Sequence, residues 1–210
     1  MLKPPPPADE AARLAALRAY DILDTPDEAA FDDLTRLAAR ICGTPISLVS
    51  LVDADRQWFK SRVGLDVAET PRDLAFCGHA ILGQDLFVVP DAARDDRFAD
   101  NPLVAGDPHV RFYAGAPLVG EGGQALGTLC VIDRVPRELT PDQADALRAL
   151  ARQAMSQIRL RRSVAGLTLA LVERAEAERA VGATHDRLRR QNAALVDLAR
   201  QGVAAGADLR

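Results

Sequence analysis

Cys77 and His79 stand two residues apart in ETPRDLAFCGHAIL, residues 69–82, just behind Pro71 and Arg72. A thiol beside an imidazole suggests half of a metal site, or a nucleophile with its base. A structural zinc takes four ligands, usually as two close pairs. Only one pair is present, since Cys42 and Cys130 are isolated in a helix end and an apolar strand. On a helix, side chains two positions apart diverge by roughly 200°, so the imidazole does not face the thiol. The plainer reading of AFCGHAIL is a short helix. Phe76, Ala80 and Ile81 bury its inner face, Cys77 fills core space as a small hydrophobe, and His79 makes a polar contact. His185, in ATHDRLRRQN, has an acid and an arginine nearby but no following proline, and reads as a helix-surface residue. GEGGQ at 120–124 is a hairpin turn rather than a phosphate loop. No glycine-rich ATP-binding segment and no Ser-His-Asp arrangement emerges.

The elements that must position these residues follow from periodicity and punctuation. DEAARLAALRAY carries Leu14, Leu17 and Tyr20 at helical spacing, with Asp9 as its cap. Thr25, Pro26, Asp27 and Glu28 read as the cap, first-turn proline and acidic first turn of a second helix. Phe31, Leu34, Leu37, Ala38 and Ile41 continue that helix to Cys42, and Gly43 ends it. ISLVSLV is a buried strand, with QWFKSRVG its hairpin partner. Residues 75–83 form a short helix. DLFVVPD, HVRFYAGAPLV and ALGTLCVIDR are further strands, with a turn-rich loop and one short helical turn after Pro90. Thr140, Pro141 and Asp142 open a long helix.

Within that helix Leu160, Leu167, Arg174, Val181, Leu188 and Leu195 recur at seven. Companions three positions later are Ser163, Ala170, Ala177, Thr184, Gln191 and Leu198. So thin a stripe at heptad period suits a weak two-stranded coiled coil rather than a globular core face.

The totals bound the class. The chain has 210 residues, 48% hydrophobic and 27% charged, with a net charge of -4. That allows one ordinary domain plus extra helix. An acidic balance gives no support to nucleic-acid binding, which calls for a basic stripe. No apolar run approaches the length of about 18 residues needed for a membrane span. MLKPPPPADE lacks an apolar signal core and reads as a disordered, proline-rich lead over residues 1–8. Three sparse cysteines suggest reduced thiols in a cytoplasm.

RLAALRAYDILDTP, ISLVSLVDADRQWFKSRVGL, ETPRDLAFCGHAI, DDRFADNPLV, VRFYAGAPLV and LGTLCVIDRVPRELT, in this order, resemble the GAF domains at the N-termini of bacterial sensor histidine kinases and diguanylate cyclases. The resemblance covers residues 9–162. It implies an α+β fold, a central antiparallel β-sheet flanked by helices, with residues 163–210 as a coiled-coil signalling helix. LRRQNAALVDLARQ followed by GADLR looks like the linker that leads into a further domain in multi-domain kinases. In GAF folds the ligand pocket lies between the sheet and the inserted short helices. That placement makes Phe59, Arg72, Phe76, Cys77, His79, His109, Arg111 and Tyr113 the expected lining, aromatic walls with convergent polar groups. Arg72 and Arg111 suit an anion, or equally pair with nearby aspartates. Arg72, His79, His109, Arg111 and Tyr113 are expected to converge in one cavity.

The resulting expectation is a cytoplasmic sensory module without catalysis of its own. It would bind a small molecule or sense redox state, and relay this through a homodimeric C-terminal helix to a kinase or cyclase output domain. No cofactor, metal, nucleic acid or membrane is specified. Three alternatives stand beside this reading. Free methionine sulfoxide reductases resemble this fold and use pocket cysteines, one of which would fall in HVRFYAGAP, where this sequence has none. Bilin-attaching GAF domains carry cysteine directly followed by histidine, whereas Gly78 intervenes here. A dimerisation scaffold whose pocket is filled by side chains is the third.

Overall fold

The computed structural model describes the backbone of residues 1–207 and the side chains of residues 1–192 other than Asp186. It contains two compact units, Met1–Arg162 and Ser163–Arg210. In the first, helices α1 (Glu10–Ala19) and α2 (Ala29–Cys42) precede strands β1 (Ile46–Val52), β2 (Arg56–Val63) and β3 (Glu69–Pro71). Helix α3 (Phe76–Ala80), strand β4 (Phe87–Val89), helix α4 (Pro102–Ala105) and strands β5 (Phe112–Val119) and β6 (Ala125–Asp133) follow, and then helix α5 (Pro141–Ala207).

One six-stranded sheet runs in the order β3-β2-β1-β6-β5-β4, antiparallel at every pairing. Its central strand explains the composition of ISLVSLV. Every residue of β1 is buried, because both faces of the sheet are covered and neither half of the alternation can be polar surface. On one face Val49, Leu51, Leu129 and Val131 meet Leu17 of α1, Phe31, Leu34 and Ala38 of α2, and Leu147, Ala151, Met155 and Ile158 of α5. On the other, Leu48, Val52, Phe59, Tyr113 and Cys130 meet Phe76, Cys77, Ala80 and Ile81.

Several signals act as read. Gly43 ends α2 in the left-handed conformation, φ 62°. Thr140 and Gln143 form a reciprocal capping box at α5: the Thr140 hydroxyl accepts from the Gln143 amide at 3.2 Å, and the Gln143 side-chain oxygen accepts from the Thr140 amide at 3.0 Å. The start of α2 is different. Thr25–Glu28 is not its first turn; the helix begins at Ala29 with Glu28 extended. The cause is Lys60, an extra residue in β2 between the pairs Val49–Ser61 and Ser50–Phe59. The bulge turns its side chain toward α2, where its ammonium donates to Thr25 Oγ1 at 3.0 Å, Pro26 O at 2.5 Å and Glu28 Oε1 at 2.7 Å. A buried charge claims the segment that would otherwise have coiled.

Candidate functional site

The sulfur of Cys77 is the focus of the α3-covered face. Direct cross-strand partners share a face in an antiparallel sheet. Gly115 pairs with Cys130, Pro117 with Thr128, and Ser50 with Thr128, while Tyr113 lies two residues before Gly115. Ser50, Thr128, Cys130 and Tyr113 therefore project together toward α3, which sets Cys77 among them. Gly115 makes the arrangement possible: a methyl group there would overlap the Tyr113 hydroxyl, so only glycine lets the phenol fold back across its own strand. The Tyr113 hydroxyl then donates to Cys77 Sγ at 3.2 Å, and the Thr128 hydroxyl donates to the same sulfur at 3.0 Å. Cys130 Sγ lies 3.9 Å away. Ser50 Oγ is buried without a hydrogen-bond partner, yet near enough to this sulfur to favour its anion.

These contacts set the acidities. Burial pushes the Cys77 thiol up, but the contacts of Cys130, Thr128 and Tyr113, with Ser50 nearby, outweigh it and bring the thiol down to about 7. The hydrogen bond to Cys77 pushes Cys130 the other way, well above its ordinary value, and burial adds to that. Burial, then the neighbouring sulfurs, raise Tyr113. Cys42, buried on the opposite face, is pushed up to about 11 by burial, with the charge of Arg137 opposing.

An aromatic group closes the site outward. Phe76 stacks on Phe98 with centroids 4.0 Å apart and on Tyr113 at 5.3 Å, and His79 meets Phe98 edge-on at 4.9 Å. The guanidinium of Arg97, paired with Asp95, sits 4.8 Å from the Phe87 ring. Residues 1–4 cross the outer side of α3. The Leu2 amide donates to Arg97 O, Leu2 O meets His79 Nε2 at 3.0 Å, and Pro4 packs where a Gly78 side chain would stand. Burial and the Arg97 charge lower His79, with Leu2 O opposing.

Of the eight expected lining residues, Phe59, Phe76, Cys77 and Tyr113 come together in one buried cluster, and His79 lies at its outer edge. The other three do not join them. Arg72 donates to Glu10 at 2.5 Å and to Asp53 O at 3.0 Å, drawn away by a carboxylate of α1 that also binds the buried Arg13. His109 is exposed in a left-handed turn, φ 58°. Arg111 is half-buried and reaches only Val104 O, at 3.4 Å. The expected convergence of Arg72, His79, His109, Arg111 and Tyr113 in one cavity does not occur: Glu10 holds Arg72, His109 is exposed, and Arg111 reaches Val104 O. A cleft of about 520 Å³ lies elsewhere, lined by Asp85, Pro117, Arg148, Arg152, Met155 and Arg159. The residues that sequence reasoning missed are Ser50, Phe98, Thr128 and the partnership of Cys130. Period-two alternation in LGTLCVID already placed Thr128 and Cys130 on one face; the approach of Cys77 to them had no local signal.

The family model of the GAF domain matches residues 27–158. The chain belongs to the GAF family. A protein named cyclic di-GMP phosphodiesterase, from Pseudomonas aeruginosa, is 44% identical over 164 residues, 78% of this chain. The chain spans 28% of that relative's length. Among solved structures, the GAF domain of an Acinetobacter phosphoenolpyruvate-protein phosphotransferase superposes with a TM-score of 0.53 at 18% identity, covering 74% of this chain and 98% of its own. Free methionine-R-sulfoxide reductase from Neisseria meningitidis gives 0.53 at 18%, covering 75% and 95%. These two likenesses concern the GAF fold alone. The expectation of a protein that is no enzyme is overturned by the Pseudomonas relative, which shares 44% of its residues over most of this chain and bears an enzyme's name. Among the described residues no group of three metal-ligating side chains forms, and no helix is long and apolar enough to cross a membrane.

Proposed function

We propose that this chain is the GAF regulatory segment of a bacterial, cytoplasmic signalling enzyme that turns over cyclic di-GMP, acting as a dimer joined through α5. The carrying observation is the 44% identity over 164 residues to a cyclic di-GMP phosphodiesterase. That likeness favours cyclic di-GMP turnover over a histidine kinase as the output.

The relay reading draws on α5. Within the first unit its inner residues Leu147, Ala151, Ala154, Met155 and Ile158 are buried, and Arg161 is fixed by Glu28 at 3.0 Å and Asp21 O at 2.5 Å. From residue 160 onward Leu160, Val164, Leu167, Leu171, Val181 and Leu188 are exposed. The apolar companions of the heptad leucines stand four positions later, Val164 and Leu171, rather than three. A 3-4 alternation of this kind fits a second copy of the same helix. Arg174 and Glu178, paired at 2.8 Å, then occupy seam positions and hold the association weak. Leu195 and Leu198 lie outside the residues whose side chains are described.

Two measurements test this. In sedimentation, truncation after Arg162 should weaken association, and Arg174→Leu should tighten it by about tenfold or more, since each of the two copies brings a leucine to the seam. A full chain that stays monomeric at high concentration removes the dimer. Exchanging this chain for its counterpart in the Pseudomonas relative should preserve regulated hydrolysis of cyclic di-GMP. A folded chimera whose hydrolysis no longer depends on the segment counts against the regulatory assignment.

A further inference from the structure

We propose that Cys77 and Cys130 are an oxidisable pair that a hydroperoxide closes into a disulfide joining α3 to the central sheet. The inference deepens the regulatory reading above by naming what is sensed, and it rests on that reading only for its consequence in signalling.

The geometry carries it. The two sulfurs are already in contact at 3.9 Å, from positions 53 residues apart on separate elements. A disulfide needs about 2.05 Å, so closure asks for an approach of about 2 Å, within reach of side-chain rotation and a small shift of a five-residue helix. The surroundings are wrong for two inert thiols. Three hydroxyls, from Ser50, Tyr113 and Thr128, are buried in an otherwise apolar cluster, and Ser50 has no partner. Burying polar groups costs free energy unless they are satisfied. Here two of the three donate to one sulfur and help it carry charge. Cys42 is the internal control: buried among apolar residues, with no thiol beside it and its acidity suppressed.

The oxidant must reach a closed interior, and α3 is the element that opens. It has five residues, and it is held from outside by the contacts of Leu2 and Pro4 with His79 and Gly78 and by the single ring of Phe98 against Phe76 and His79. Local opening of such a short segment costs far less than global unfolding.

The step balances. The Cys77 thiolate attacks one oxygen of the hydroperoxide; the O–O bond breaks, and the alcohol leaves with the proton that Cys77 released. Cys77 is now a sulfenic acid. The Cys130 sulfur attacks Cys77 Sγ; the S–O bond breaks, and hydroxide departs as water with the proton of Cys130. The two sulfurs have lost two electrons and two protons, and the hydroperoxide has become an alcohol and water. Formation of the bond withdraws the acceptor that Tyr113 and Thr128 share and draws α3 inward, pulling His79 away from Leu2 O.

The test treats the whole protein with hydrogen peroxide, alkylates free thiols after denaturation and maps peptides by mass. The expected product is one cross-linked species holding Cys77 and Cys130, about 2 Da lighter than the two free peptides. Dithiothreitol should reverse it, and Cys42→Ser should leave it intact. Thiols untouched by peroxide, Cys77 driven to sulfinic acid without a cross-link, or a cross-link to Cys42 would each overturn the pair. None of these readouts depends on a variant that must fold with a hole in the cluster; Cys130→Ala is a second check, with sulfenic acid on Cys77 expected in place of the disulfide. A cross-link that forms while cyclic di-GMP hydrolysis by the chimera ignores peroxide would sink the signalling consequence and leave the pair standing. Absence of the cross-link sinks the pair and leaves the regulatory assignment untouched.

Discussion

On the face of the sheet covered by α1 and α2, a buried charged group, Lys60, is fully engaged by Thr25, Pro26 and Glu28. On the face covered by α3, polarity gathers instead around the Cys77 sulfur, with Ser50 unpartnered beside it. One face has exchanged a helical turn for a satisfied charge, and that fixes the geometry where Glu28 also meets Arg161 of α5. The other retains an unsatisfied hydroxyl and two reduced thiols in contact. A satisfied network rigidifies its surroundings, while a partly satisfied one leaves a group able to respond. On the proposal made above, the difference suits the α2 side to transmitting and the α3 side to sensing.

The strongest way to break this contrast is to empty the sensing face. Tyr113→Ala removes a fully buried ring and should cost about 4 kcal/mol in urea unfolding. A loss under about 1 kcal/mol would mean that the ring is not part of the packed core. On the transmitting face the expected asymmetry is smaller but more pointed. Glu28→Ala leaves the Lys60 ammonium buried without its carboxylate and should cost about 3 kcal/mol, whereas Lys60→Met should cost about 1 kcal/mol or less, since Glu28 keeps Arg161. Equal costs would show that Lys60 is not the group that needs satisfying.

A third effect, confined to acid pH, lies at the end of β1, where Arg13 meets Val52 O. Burial pushes Glu10 up, but its bonds to Arg13 and Arg72 bring it down to about 2, from 4.5. Its contribution to stability is therefore complete above pH 4.5 and disappears as pH falls toward 2. Glu10→Gln should flatten that acid limb of the unfolding free energy against pH and change its slope little at neutral pH. An unchanged acid limb would remove Glu10 as the link.

How much of this was legible in advance depended on whether the cause was local. The Thr140 capping box, Gly43 and the continuous burial of ISLVSLV were readable because each is decided within a few residues of its own position. The start of α2 was not, because Lys60, more than thirty residues away, captures Thr25 and Pro26. The site divides in the same way. Phe59, Phe76, Cys77 and Tyr113, placed together by the family resemblance, share one buried cluster. Arg72 went astray because Glu10 competes for it from another helix. Cys130, read as a small hydrophobe, acquires its role only from the 3.9 Å approach of a sulfur on another element.

The outermost strands, β3 and β4, span three residues each, β3 ends at Pro71, and Pro90 follows β4. A strand arriving from another molecule would find only a few free backbone groups at either margin, with proline where continuation would be required. The domain is thereby protected against edge-to-edge aggregation. It follows that this sheet is a poor template for strand addition, and recognition by other proteins is directed to the helices.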